Sequence, residues 1–150
     1  MKWLILLHVL SSIIGVGPTF FGHVLLRRKQ SLHDLRASLR IGKRLEAFPK
    51  IGGSIAVLSG LILIWVGNYG SFAQLWLYGS LILYVLIQVI VIGIITPNQK
   101  KLAGWVFDPA NERAQEIPPQ QRSLLGKVSS LYYCASTLGV LLFIFMIMKP

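Results

Sequence analysis

The chain has 150 residues, of which 54% are hydrophobic and only 13% charged, at a mean hydropathy of +0.64; an ordinary soluble domain carries about 25% charged residues. That composition excludes a water-soluble globule. The excess of 15 Lys and Arg over 5 Asp and Glu invites a nucleic-acid partner, but the basic residues fall in loops between apolar runs, where membrane topology explains them and no nucleic acid is needed.

No Asp, Glu, Lys or Arg stands between Lys50 and Lys100. About 20 apolar residues suffice to cross a bilayer as helix, so this stretch crosses twice. Uncharged windows from Trp3 to Leu26, Ile51 to Val66, Phe72 to Thr96 and Val128 to Met148 predict four transmembrane helices. With flanking residues that snorkel to the surface, the spans are 3–26, 47–66, 72–96 and 125–148. The expected fold is all-α, a four-transmembrane-helix bundle forming one integral-membrane domain over 1–150, with short amphipathic or irregular loops. The first run continues to Leu26 without a small-x-small cleavage site, which reads as a retained span and not as a signal peptide.

The first helix carries His8, Ser11, Ser12, Gly15, Thr19, Gly22 and His23 at spacings of three and four, one stripe that must face other helices because lipid offers it no partners. His8 and His23 are 15 residues apart, about 22 Å along a helix axis, and cannot share a metal ion. No other metal site is legible. His8 has the chemistry of an axial haem ligand or a proton relay, and equally of an interhelical hydrogen bond. A second haem ligand at similar depth would be Met146, or Met148, at the end of the fourth helix. His23, beside Arg27 and Arg28, reads as structural or as a headgroup contact.

The segment after the first helix holds Arg27, Arg28, Lys29, Arg36, Arg40, Lys43, Arg44 and Lys50 against Asp34 and Glu46. It should be cytoplasmic, which places both termini outside the cell. Ser31 with Asp34 forms a short capping box, and Leu32, Leu35 and Leu39 share one face; a short helix lying on anionic lipid headgroups and a solvated basic loop both fit. The second span carries Gly52, Ala56 and Gly60 at intervals of four, a ridge for close helix packing. Gly-Asn-Tyr-Gly-Ser, residues 67 to 71, makes a short neutral outer connection, and Trp3, Trp65, Tyr69 and Trp76 fall at that outer boundary.

In the third span Ser80, Tyr84 and Gln88 repeat at intervals of four, and Gln88 lies so deep that it should face the bundle. The segment after Thr96 is again basic. Asp108-Pro109 is a helix start, and Pro118-Pro119 stops any helix before the fourth span. That span offers Ser129, Tyr133, Ser136 and Thr137 on one side. The expected bundle-interior polar residues are therefore Ser12, Thr19, His23, Tyr84, Gln88, Tyr133 and Thr137, with Gly15, Gly52, Ala56 and Gly60 as packing positions. Cys134 stands alone, so no intramolecular disulfide forms.

No span contains Asp or Glu, which disfavours proton coupling through an intramembrane carboxylate. HExxH, CxxC, P-loop and GxSxG are absent, so no catalytic constellation is recognised.

Leu7-His8-Val9-Leu10, Gly15-Val16-Gly17-Pro18-Thr19-Phe20, Pro49-Lys50-Ile51-Gly52-Gly53 and Ser59-Gly60-Leu61 resemble a family of small bacterial integral-membrane proteins of unknown function, over most of the chain. That family is distantly similar to the CopD-like copper-resistance membrane domain and to HemJ-type protoporphyrinogen oxidases. There a His early in the first helix is associated with haem or metal, a role the resemblance would assign to His8. HemJ-type proteins also use a basic residue in a later span, where this chain has only Gln88, so their oxidase activity does not transfer.

The leading expectation is an integral inner-membrane protein without an identified activity. Beside it stand a haem b redox protein liganded by His8, a small transporter or channel subunit with polar stripes lining a path, and an accessory subunit. The bilayer is the certain partner; a second copy or another membrane protein fits the last two readings.

Overall fold

The computed structural model describes residues 1–69 and 74–149. The third apolar window begins at Phe72, and the outer connection includes Gly70 and Ser71; both positions lie outside the described residues. Among the described residues there are six α-helices: α1 (Lys2–Leu25), α2 (Leu32–Leu45), α3 (Ala47–Gly67), α4 (Leu75–Gln88), α5 (Thr96–Val106) and α6 (Pro119–Met148). A π-helical stretch, Val89–Ile95, joins α4 to α5 without a break, so one helical rod runs from Leu75 to Val106. Four rods, Lys2–Leu25, Leu32–Gly67, Leu75–Val106 and Pro119–Met148, are long and apolar enough to cross a membrane.

The rod through α4 does not stop where its apolar run stops. Pro97 has no N–H to give and its ring would press on the carbonyl four residues back, which is that of Gly93. The wider π turn ahead of it relieves this clash. Side chains then serve carbonyls of the stretch: Thr96 Oγ1 donates to Val91 O at 2.8 Å and Asn98 Nδ2 to Ile94 O at 2.7 Å.

The rods stand in the lateral order α3, α1, α6, α4. The α1–α3 contact is the most extensive. It rests on Gly15 and Gly52, where a Cβ on Gly15 would lie 2.5 Å from Gly53 N, so backbone meets backbone and only hydrogen fits. α6 packs on α1 through Val16, Phe20 and Gly139, and α4 leans on α6 where Gly79 meets Phe145. α3 and α4 make no comparable approach; the Tyr84 hydroxyl bridges them by reaching Gly53.

The largest buried apolar cluster is not between the rods at mid-height but at the basic end. Leu26, Leu32, Leu35, Leu39, Ile95, Leu102, Val106, Ile117, Leu125 and Val128 form it. The helix read from the Ser31 capping box is there as α2, with Ser31 Oγ accepting from Asp34 N at 3.1 Å. Of the two readings that fitted this segment, it is a helix and not a solvated loop, but its apolar face is turned into the protein and not onto lipid: Leu35 is 0% exposed. The reason is competition for one surface. The ends of α5 and α6 and the segment at Ile117 offer α2 a close-packed apolar partner that excludes both water and lipid, and each fully buried Leu gains about 2 kcal/mol over exposure.

Polar links hold this cap in place. Gln30 Nε2 donates to Leu25 O and Arg27 O at 3.2 and 2.9 Å, closing the end of α1. Arg36 Nη2 donates to Asn111 O at 3.1 Å and Glu112 O at 3.3 Å, lashing α2 to the connection before α6. At the opposite end Tyr69 and Trp76 meet edge to face at 6.3 Å, and Lys149 Nζ lies 5.6 and 5.2 Å from their ring centres. The molecule thus has a basic end and an aromatic end.

Candidate functional site

The stripe on α1 faces its neighbours: Ser11, Gly15, Val16, Thr19 and Gly22 are buried. Within it His8 makes a polar contact that joins α1 to α3. Its Nδ1 lies 2.8 Å from Ala56 O and 3.3 Å from Ser59 Oγ on α3. Gly60 makes room for the ring, since a Cβ there would stand 2.9 Å from His8 Cε1. A carbonyl only accepts, so the proton between His8 and the Ala56 carbonyl belongs to Nδ1, while the single Ser59 proton is shared within α3 between Ile55 O at 2.6 Å and Ala56 O at 3.1 Å. Neutral imidazole carries one N–H, and placing it on Nδ1 leaves the Nε2 lone pair free. Ser11 and Ser12 donate to His8 O at 3.0 and 2.7 Å, bracing its backbone.

The ridge Gly52, Ala56 and Gly60 thus has two uses: Gly52 for the α1 backbone, Ala56 and Gly60 for the His8 ring. Met146 is half-buried on α6. The His8 ring is turned onto α3, whereas α6 meets α1 on the adjacent flank through Val16, Thr19 and Phe20.

The other expected interior residues divide. Thr19 is buried, and its carbonyl accepts from Ser136 Oγ at 3.2 Å. His23 stacks on Tyr133 with ring centres 4.3 Å apart, and its Nδ1 is buried with no partner among the described residues. Tyr84 bridges to α3. Gln88 is half-buried at the last residue before the π stretch and makes no side-chain hydrogen bond among the described residues. Tyr133 and Thr137 are exposed, contrary to expectation. Thr137 Oγ1 returns to Tyr133 O at 2.9 Å on its own helix, so it needs no interhelical partner. Ser80, likewise, donates to Trp76 O. These hydroxyls are satisfied one helix at a time and do not converge on a path.

Sequence reasoning missed Tyr132, whose hydroxyl donates to Gln99 Oε1 at 2.9 Å and ties α6 to α5. Its partner lies beyond Thr96, in a segment read as loop. It also missed the clustering of Arg28, Lys29, Arg122 and Lys127 around one cleft at the basic end, which unites residues about a hundred positions apart. Among the described residues no group of three His, Cys, Asp or Glu is placed to hold a metal ion.

Taken together, the apolar rods, the aromatic end and the polar contacts made through small residues define an integral membrane protein of the multi-pass helical class. The chain belongs to a particular family of that class: the family model described as "Predicted integral membrane protein (DUF2269)" matches residues 2–150. No curated protein and no solved structure matches it.

Proposed function

We propose that this integral membrane protein acts through the polar contact between α1 and α3, with His8 as an axial ligand of haem b. The observation that carries the reading is the 2.8 Å contact from His8 Nδ1 to Ala56 O. Histidines that ligate a metal through Nε2 commonly donate Nδ1–H to a carbonyl, which fixes the tautomer and orients the ring. His8 has that arrangement in the protein alone. A haem would supply a redox-active iron; His8 would supply its proximal nitrogen, and Ala56, Ser59 and Gly60 would hold the imidazole plane. In this reading His8 would hold the iron and Met146 would not.

The test is an absorbance spectrum, oxidised and reduced, of protein gently extracted from cells grown with ample haem. A stoichiometric Soret band that disappears in His8→Ala but survives in Met146→Leu is expected. A flat spectrum would sink the reading and leave His8 as an interhelical clasp.

The basic end faces the cytoplasm and the aromatic end faces outward, in the plasma membrane. The charge asymmetry of the loops supports this. A periplasmic-type reporter fused after Pro150 should be active, and activity only of a cytoplasmic reporter would reverse the orientation. The outward-turned basic side chains of α2 then meet anionic headgroups, while its leucines stay in the protein.

A further inference from the structure

At the basic end, where α1 stops and α6 starts, Arg28, Lys29, Arg122 and Lys127 line a cleft of about 640 Å³ together with Pro119, Ser123, Gly126 and Ser130. Among the described residues no carboxylate lines it. The acids of the chain are occupied or elsewhere: Asp34 pairs with Arg27 at 3.3 Å, Glu46 with Lys50 at 2.8 Å, and Asp108 caps Ala110 N at 2.9 Å. Glu112 and Glu116 do not line the cleft either.

The two guanidiniums are held there by neutral groups. Arg28 Nη2 donates to Ser130 Oγ, and Arg122 Nη1 donates to Arg28 O at 3.1 Å. The Arg28 stem runs alongside Gly126, where an added Cβ would make ordinary contact with its Nε, Cγ and Cδ at 3.8 to 4.0 Å. Four cations gathered without a counter-charge repel one another, and an anion between them turns that repulsion into attraction. The paired planar forks suit a phosphate, which accepts several charge-assisted bonds at once.

A second cleft of about 370 Å³ shares Ser123 and Lys127 with the first and adds Asn98, Lys101, Gln120, Gln121 and Leu124. Gln121 Oε1 is buried there without a partner among the described residues. It is an acceptor in need of a donor, and beside Lys101 and Lys127 a neutral hydroxyl fits where an ammonium would be repelled. The height agrees with a lipid source: Arg28 and Lys29 follow the end of α1 directly, and Lys127 immediately precedes the apolar run that begins at Val128, the level of the phosphates in a bilayer.

We propose that this cleft is a binding site for a glycerol phosphate group, the phosphate on Arg28, Lys29, Arg122 and Lys127 and the glycerol hydroxyls at Gln121. It deepens the headgroup contact proposed above from a charged surface to a defined site, and it is independent of haem at His8. The shared chemistry has two sources, an anionic phospholipid headgroup or free glycerol phosphate.

The full chain in phosphatidylcholine nanodiscs, titrated with phosphatidylglycerol and released into native mass spectrometry, tests it. Arg28→Gln/Arg122→Gln should lower phosphatidylglycerol retention about tenfold, since each charge-assisted bond alone is worth a large part of that factor. Lys100→Gln/Arg113→Gln removes equal charge at the same end, at exposed residues outside the cleft, and should stay within about twofold of the parent. Displacement of the bound lipid by millimolar glycerol phosphate would identify the soluble source for the same site, and resistance to it the lipid. Equal loss in both double variants would reduce the site to a diffuse positive surface and overturn the proposal while leaving the headgroup contact standing. Retention unchanged in both would overturn the site and leave the contact through α2 standing. A retained elution profile of the Arg variant on size exclusion shows that it is folded, and Arg28→Lys/Arg122→Lys, which keeps the charge and loses the forks, serves in its place where it is not.

Discussion

The basic end and the membrane-crossing part of this molecule are held together by different forces, and their residues differ accordingly. At the basic end Leu32, Leu35, Leu39, Ile95, Leu102, Val106 and Leu125 are buried as in a soluble core. Between the rods the contacts run through Gly15, Gly52, Ser11, Ser59 and Gly139, while Leu58, Leu61, Ile62 and many others face outward. Water borders the basic end, so burying leucine there gains hydrophobic free energy. Lipid borders the rods and is as apolar as leucine, so association there depends on close backbone approach and hydrogen bonds. One chain therefore contains two packing codes, and the change from one to the other falls near Leu26 and Val128.

The largest effect should come from the end core. Leu35→Ala should cost about 4 kcal/mol in reversible unfolding from mixed micelles, whereas Leu58→Ala, at a residue 62% exposed, should cost under about 0.5 kcal/mol. Equal effects would put α2 on the lipid surface after all. Between the rods the sensitive change is an addition instead of a deletion. Gly15→Ala should cost about 2 kcal/mol because its Cβ has no space, while Gly17→Ala, which has nothing within 4 Å, should be neutral or slightly stabilising. A neutral Gly15→Ala would mean that α1 and α3 are not in backbone contact. Where the two regions join, Tyr132→Phe removes the bond to Gln99 and should cost about 1 kcal/mol, read as easier release of α5 in hydrogen exchange. The smallest expected change is Ser31→Ala, a little under about 1 kcal/mol, visible as fraying of the first turn of α2 and not as global unfolding.

Much of the fold was legible because the features concerned are periodic. Four apolar runs mark four rods, Ser31 with Asp34 marks the start of α2, and the three-and-four spacing from Ser11 to Gly22 marks the packed side of α1. What was hidden depends on surfaces that only the assembled chain creates. The leucines of α2 are amphipathic wherever they lie, and the sequence has no sign telling lipid from the ends of α5 and α6. Pro97 is a stop signal in an ideal helix, yet the π turn ahead of it let the rod continue to Val106. For the candidate site, His8 was found from its place in an apolar helix. Its partner is a backbone carbonyl, Ala56 O, which any residue at that position would provide and no residue announces. Thr137 was misplaced because a hydroxyl in a span can be satisfied by its own helix; Tyr133 is exposed with its ring stacked on His23.

The lateral order of the rods also bears on how the protein is made. α3 and α4 are neighbours in the chain but not in the structure, where α4 leans on α6 and the first helix touches the last. During synthesis α1 and α3 have everything they need for their close contact as soon as both have left the ribosome. α4 enters the bilayer with Ser80, Tyr84 and Gln88 and finds its main partner complete only after about sixty more residues have been added. Assembly is thus completed from the carboxyl end, and a chain halted before α6 would leave half the molecule finished and the other half waiting.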